Sequence, residues 1–410
     1  MLSDEVLEKV VERLTNRIQE ANTYVLQQIG KSLREIGELQ PSKARQLSQM
    51  IKYGADYDKI VKELTKVTKL NKKDIEKIFE EVAKNDYDFA KQFYEYRGKK
   101  YIPYSKNKAL NNQVKILTNE AQKQYLKLVD TKAIGFTLKD DTFKPLSKAY
   151  TEALETAILS VAQGKTTFNT EVYKLIKEMS ESGLKTLNYA SGRTMRLDSA
   201  VRMQMRGALR EMHNKTQEVI GKQFQSDGVE ISVHLNPAPD HAEVQGKQFS
   251  TKRPHKDELS EFEKFQNDQD CHSYDGTSFP AEFEGRDRRS ISQYNCYHYT
   301  FAIILGVNKP EYSDERLKEI IDENNKGFEL DGKHYTNYEG TQLQRQIESE
   351  IRKAKDEQIM ARAAGIPEDI QTAQKKINAL TNKYNELNRT SGLLSRPDKL
   401  RVSGYRKIKV

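Results

Sequence analysis

Two short runs carry the side chains best suited to chemistry. One is Pro239-Asp240-His241-Ala242-Glu243-Val244-Gln245-Gly246-Lys247, the other Asn295-Cys296-Tyr297-His298. His241 and Glu243 have the groups for a proton-transfer pair, and either could instead ligate a metal. Cys296 and His298 stand two residues apart. In an extended segment such residues face the same side, so a sulfur and an imidazole could reach one ion. His234, Cys271 and His272 lie within the same stretch of chain. A Cys/His zinc site built on His241, Cys296 and His298, completed by His234 or Cys271, is therefore conceivable. The spacing matches no standard zinc-finger pattern. Ordinary packing of these side chains, a structural zinc, and catalysis all stay open.

Other reactive patterns are missing. Gly164-Lys165-Thr166 lacks the earlier glycine that a phosphate-cradling loop requires. There is no nucleophile elbow and no His-Glu-x-x-His helix. Asp140-Asp141 sits among polar residues, where solvation is expected. No catalytic residue and no cofactor other than zinc is expected. A third run, YTNYEGTQLQRQIESEIRKAK over 335–355, offers an apolar face of Leu343, Ile347, Ile351 and Ala354 beside basic and amide side chains. It reads as an amphipathic docking helix, with Glu348 and Arg352 spaced to pair one turn apart.

The elements that must hold these runs are mostly helical. Charged residues make up 31% of the 410 and the hydrophobic set 36%, and mean hydropathy is −0.83. Such values fit either solvated helices or partial disorder, and apolar periodicity favours helices. Leu7, Val11, Leu14, Ile18, Ala21, Val25 and Ile29 form one stripe of a helix over 4–36. Three shorter helices are expected over 42–95, one capped by Asn71, followed by the aromatic group Phe89, Phe93, Tyr94 and Tyr96. Helices follow over 106–130, 146–163, 168–182 and 193–225, with a break at 134–147. The last carries Arg193, Arg196, Arg202, Arg206 and Arg210 along a flank. That flank is either solvated and salt-bridged or a contact for DNA or another protein.

The texture changes at Ser226-Asp227-Gly228. Residues 229–235 alternate as a strand, and further strands are expected near 248–250 and 299–305. Every histidine except His213 falls between 234 and 334, in this loop-rich stretch. A helix capped by Ser313, a hairpin turning at Asp331-Gly332, a helix over 337–363 and another opened by Pro367 complete the chain. In the last, Ile370, Ala373, Ile377, Leu380, Tyr384 and Leu387 make a seam. The expected class is mainly α: an elongated helical N-terminal half, a small loop-rich α+β domain, and long C-terminal helices. The expected regions are 1–130, helical; 131–227, helical; 228–340, α+β with the His/Cys cluster; and 341–410, a helical hairpin with a basic tail.

The formal charge is +8, and residues 341–410 hold 15 Lys/Arg against 8 Asp/Glu. Arg396, Lys399, Arg401, Arg406, Lys407 and Lys409 crowd the end. Two readings follow: a solvated helix with a frayed tail, or an arm that touches DNA phosphates or an acidic protein face. Two cysteines allow at most one disulfide, and a reducing compartment is the default. MLSDEVLEKVVERL has no apolar core of a signal peptide, and no run of 18 apolar residues occurs. Neither secretion nor a membrane segment is expected.

Taken in order, four stretches resemble the phage minor capsid protein 2 family, a relative of Mu F-like head morphogenesis proteins. They are Ser191-Gly192-Arg193 with Val201-Arg202; the strand ending at His234 with His241-Ala242-Glu243-x-Gln245-Gly246-Lys247; Tyr294-Asn295-Cys296-Tyr297-His298; and Tyr335 to Arg352, with Tyr338, Gln342 and Arg345 among its marks. They span about 190–356. Tyr297 stands where that family usually has Arg, and Val244 where it usually has an aromatic residue. The resemblance implies a low-copy virion protein of a tailed-phage head, assembled in the bacterial cytoplasm. Its implied partners are the portal and major capsid proteins and the packaged DNA. Its implied role is in head assembly and DNA packaging or delivery, with no settled catalytic residues. The competing expectation is a metal-dependent hydrolase or nuclease packaged in the head.

Overall fold

The computed structural model describes residues 4–38, 54–130, 132–138, 142–163, 165–187, 191–291, 296 and 298–410. The chain is mainly helical with small antiparallel sheets, as the periodicity predicts. It divides into two compact units. One comprises Met1–Val10, Asp74–Gln122 and Met203–Thr341, the other Val11–Lys73, Lys123–Arg202 and Gln342–Val410. The expected 228–340 region falls in the first unit, and its 341–410 neighbour, from Gln342 on, in the second. The expected 1–130 and 131–227 regions each supply residues to both.

The second unit is built on amphipathic helices. In helix Asp4–Gly37 the residues Val11, Leu14, Ile18, Ala21, Val25 and Ile29 are each at most 2% exposed. Helix Asn337–Ala364 packs close beside it. A Cβ on Gly30 would lie 2.8 Å from the Met360 carbonyl oxygen, so only glycine fits there. Helix Pro367–Ser391 begins with its proline and ends at Gly392 in the left-handed region. Along its seam Ala373, Ile377, Tyr384 and Leu387 are buried. Asn71 lies inside helix Gly54–Phe89, which runs unbroken where shorter helices were expected; 42–53 lies outside the described residues. Its side chain is buried and donates to the Leu14 carbonyl and the Tyr125 hydroxyl. Tertiary partners satisfy the amide, so it interrupts nothing. The break at 134–147 is a hairpin, part of a four-stranded antiparallel sheet. Its order is Phe143–Pro145, Ile134–Thr137, Lys185–Leu187, Thr194–Arg196. The last strand takes residues that helical spacing had assigned to the following helix, which starts at Leu197.

A charged node sits inside this unit. Arg196 reaches Asp356 at 2.9 Å and Asp198 at 3.4 Å, and Asn22 donates to Asp356 at 3.2 Å. Asp198 and Asp356 are buried. Burial disfavours the Asp198 carboxylate, but Arg196 and Arg352 outweigh it and hold its pKa at about 2. Burial dominates at Asp356, whose pKa is raised despite Arg196. The expected Glu348–Arg352 pair gives way to a longer-range one. Glu348 accepts from Arg396 Nε at 3.0 Å, and Arg352 donates to the Lys399 carbonyl.

In the first unit, Tyr87, Tyr94, Tyr101 and Tyr104 cluster ring against ring, and Tyr94 and Phe93 meet Phe224. Phe89 and Tyr96 remain exposed. Strand Gly228–Ile231 is the centre of a three-stranded antiparallel sheet, with Thr300–Ile303 on one side and Gln248–Ser250 on the other. It stops four residues earlier than alternation predicts. Beyond it the N–H of His234 turns to the Gln245 side chain instead of a neighbouring strand. Ile231 and Phe249 of the sheet share a core with Val244, Phe265, Cys271, Phe279 and Ile291. Helix Asp314–Lys326 is capped by Ser313, and the hairpin Phe328–Leu330/Lys333–Tyr335 turns at Asp331-Gly332, as read from the sequence.

Candidate metal centre

The two chemically suggestive runs flank the central strand Gly228–Ile231. The first lies in its connection to Gln248–Ser250, the second just before Thr300–Ile303. The register pairs Thr300 with Ile231, so two residues earlier His298 stands beside Val233 and His234. The ring centroids of His298 and His234 are 4.6 Å apart. A short helix, Pro239–Ala242, swings His241 back toward the same place, and its ring centroid is 5.2 Å from that of His298. Gly246 closes this loop at φ +73°, where a Cβ would meet Leu317 at 2.8 Å.

Ligand atoms of His241, Cys296 and His298 all lie within 4.8 Å of one another. The Cys296 sulfur is 3.7 Å from His241 Nδ1 and 3.6 Å from His298 Nδ1. The opposite nitrogens are tied down. His241 Nε2 lies 2.8 Å from the Arg289 carbonyl, and His298 Nε2 lies 3.4 Å from Gln245 Oε1. Both imidazoles are buried, and Cys296 is partly so. Burial, with His234, His241 and Arg210 nearby, pushes His298 down to about 2, so it is neutral near pH 7. Burial acts the same way on His241, but Cys296, Asp240 and the Arg289 carbonyl outweigh it and raise its pKa. Two neutral-capable imidazoles and one sulfur are a donor set suited to zinc.

The remaining expected residues have other work. Cys271 starts a two-residue strand that points it into the apolar core. Burial first, then Glu261, pushes its thiol up to about 11. His272, its neighbour on the opposite face, is exposed beside Glu261. Glu243 meets Arg288 at 3.2 Å. That contact engages the carboxylate expected to pair with His241. Val244 is fully buried, and Gln245 Oε1 also accepts from the His234 N–H. Asn295 lies outside the described residues. Tyr338 is half-buried, and its N–H donates to Asn324; Arg345 donates to Gln342. Nothing in the local sequence marked the Arg289 carbonyl, or the contact of Arg210 with the Cys296 carbonyl, as parts of this neighbourhood.

The basic end divides. Arg396 pairs with Glu348 and Lys399 with Glu12, whereas Arg401, Arg406, Lys407 and Lys409 are exposed. The tail is not frayed. Arg352, Lys355 and Arg362 donate to the carbonyls of Lys399, Leu400 and Arg406, and Val402 is buried. Nor is the arginine flank of helix Leu197–Phe224 simply solvated. Arg210 is buried in the first unit, and Arg196, just before the helix, is spent in the charged node of the second. Among the described residues no helix is long and apolar enough to cross a membrane.

In comparisons with known proteins, the family model described as phage minor capsid protein 2 matches residues 2–388. No curated protein and no solved structure matches the chain.

Proposed function

Because the chain belongs to the phage minor capsid protein 2 family, and is thus a structural protein of a phage head, we propose that it works at the portal in head assembly and in DNA packaging or delivery. The observation that carries this reading is the extent of the family match, 2–388, which takes in the helical regions together with the His/Cys loops. Portal protein and major capsid protein are its proposed partners, and the host bacterial cytoplasm its proposed place of assembly. The exposed cations Arg401, Arg406, Lys407 and Lys409 are its proposed contacts with packaged DNA. They add electrostatic attraction without reading sequence.

The role is structural. No catalytic residue is assigned, and the carboxylate that a hydrolase at His241 would have used is engaged by Arg288. Co-expression with the portal protein and, separately, with the major capsid protein of the same phage tests the reading. A stoichiometric complex with the portal protein that survives gel filtration is expected. Retention by the major capsid protein alone would place the chain elsewhere in the head.

A further inference from the structure

Proton counting at the His/Cys cluster leaves one position unaccounted for. A carbonyl oxygen only accepts, so His241 Nε2, 2.8 Å from the Arg289 carbonyl, must carry a proton. Gln245 Oε1 is fixed as an acceptor by the His234 N–H at 2.9 Å, so His298 Nε2, 3.4 Å away, carries one too. Both Nδ1 atoms then present lone pairs to a single sulfur, at 3.7 and 3.6 Å. A thiol has one proton and can serve one of them. If the proton moves to His241, the thiolate instead faces the bare Nδ1 of His298. Either way one lone pair opposes another, and a buried polar group left unsatisfied is destabilising.

A cation removes the conflict. With zinc–sulfur and zinc–nitrogen bonds of about 2.3 and 2.0–2.1 Å, the sulfur–nitrogen edge of a tetrahedron is about 3.6 Å. Both separations in the structure match it. The hydrogen bonds at Nε2 are those that metal-bound imidazoles make, holding the tautomer that leaves Nδ1 free. Two imidazoles and a thiolate favour zinc over magnesium or calcium, which take oxygen donors.

We propose that His241 Nδ1, Cys296 Sγ and His298 Nδ1 bind one zinc ion, leaving the fourth tetrahedral position to a donor outside this trio. On binding, the zinc–sulfur bond replaces the sulfur–hydrogen bond, and one proton leaves to solvent. The ion ties the loop after strand Gly228–Ile231 to the segment entering strand Thr300–Ile303. Between these strands several others span only two or three residues, so a metal crosslink would add stability that such a framework lacks. This inference goes beyond the proposed role at the portal, and the two can fail separately.

The test uses the full chain. Metal analysis of protein purified without chelator is expected to give one zinc per chain. Cys296→Ser and His298→Ala are expected to lose it, and Cys271→Ser to keep it. A second measurement needs no variant. After chelation, zinc is added back and alkylation of each cysteine is followed by peptide mass. Zinc should slow modification of Cys296 by about tenfold or more, since a metal-bound thiolate is withdrawn as nucleophile, and magnesium should not. Wild-type protein that takes up no zinc, or zinc that leaves Cys296 alkylation unchanged, overturns the proposal. So does zinc retained in full by Cys296→Ser.

Discussion

Replacing Arg196 by Met probes the buried charged node at its centre. Methionine keeps an unbranched apolar stem but removes the guanidinium that sits 2.9 Å from Asp356 and 3.4 Å from Asp198. The two carboxylates are not left equally exposed to the loss. Asp198 keeps the field of Arg352, the Gln19 amide and the Ser199 N–H. Asp356, whose side chain is 2% exposed, keeps the Asn22 amide at 3.2 Å. Removing one partner of a buried pair costs about 3–5 kcal/mol, mostly through the charge left behind. For a urea m-value of about 3 kcal/mol per molar, the unfolding midpoint should fall by about 1–2 M. Far-UV circular dichroism at pH 7 reads it. Burial already raises the Asp356 pKa, and loss of Arg196 raises it further, so the deficit of Arg196→Met should shrink as pH falls and Asp356 takes up a proton. The double variant Arg196→Met/Asp356→Leu should recover most of the loss, because an apolar pair of similar volume replaces a buried ion pair at little cost. A single variant within about 0.3 M of wild type, or a double variant no better than the single, would refute the reasoning.

Other parts of the structure give further expectations. The folded pKa of Asp198, about 2, lies below its ordinary 3.8, so its stabilisation is complete above about pH 4 and is lost as pH falls through about 2; Asp198→Asn should flatten that part of an acid-unfolding curve. Asn71→Ala removes the buried amide that donates to the Leu14 carbonyl and the Tyr125 hydroxyl and should cost about 1–3 kcal/mol in the same urea assay. Neutralising Arg401, Arg406, Lys407 and Lys409 together to Gln should make the slope of log K against log salt for duplex DNA shallower by up to about 3.6, at about 0.9 per phosphate contact. An unchanged slope would show that these cations touch no phosphate.

What the sequence revealed, and what it hid, follows from the range of the forces involved. The stripe from Val11 to Ile29 and the seam of the last helix are local periodicities; the stripe is buried as spaced, and the seam is buried at Ala373, Ile377, Tyr384 and Leu387 but only half-buried at Ile370 and Leu380. Ser313, Asp331-Gly332 and Pro367 are local signals too, and each stands where it was read. Asn71 misled because a cap and a buried amide look alike until the partners, Leu14 and Tyr125, come from other helices. Thr194–Arg196 was absorbed into a helix because three residues are too few to show a period of two. The partners of Arg196 and Arg210 are not legible along the chain, because what neutralises or binds them lies 160 and 86 residues away. His241, Cys296 and His298 were legible as donors by type. Their convergence rests on the antiparallel register around Gly228–Ile231, which no spacing along the chain displays. Cys271, an alternative to His234 for completing the site, is turned into the core by its strand.

The most direct measurement of the central claim is an asymmetric cryo-electron microscopy reconstruction of DNA-filled virions of the phage that encodes this chain, with the protein quantified in the same particles. A few copies per virion are expected, with density at the portal vertex that the two units fit. Particles that lack the chain altogether, or that carry it in every capsomer of the shell, would contradict it.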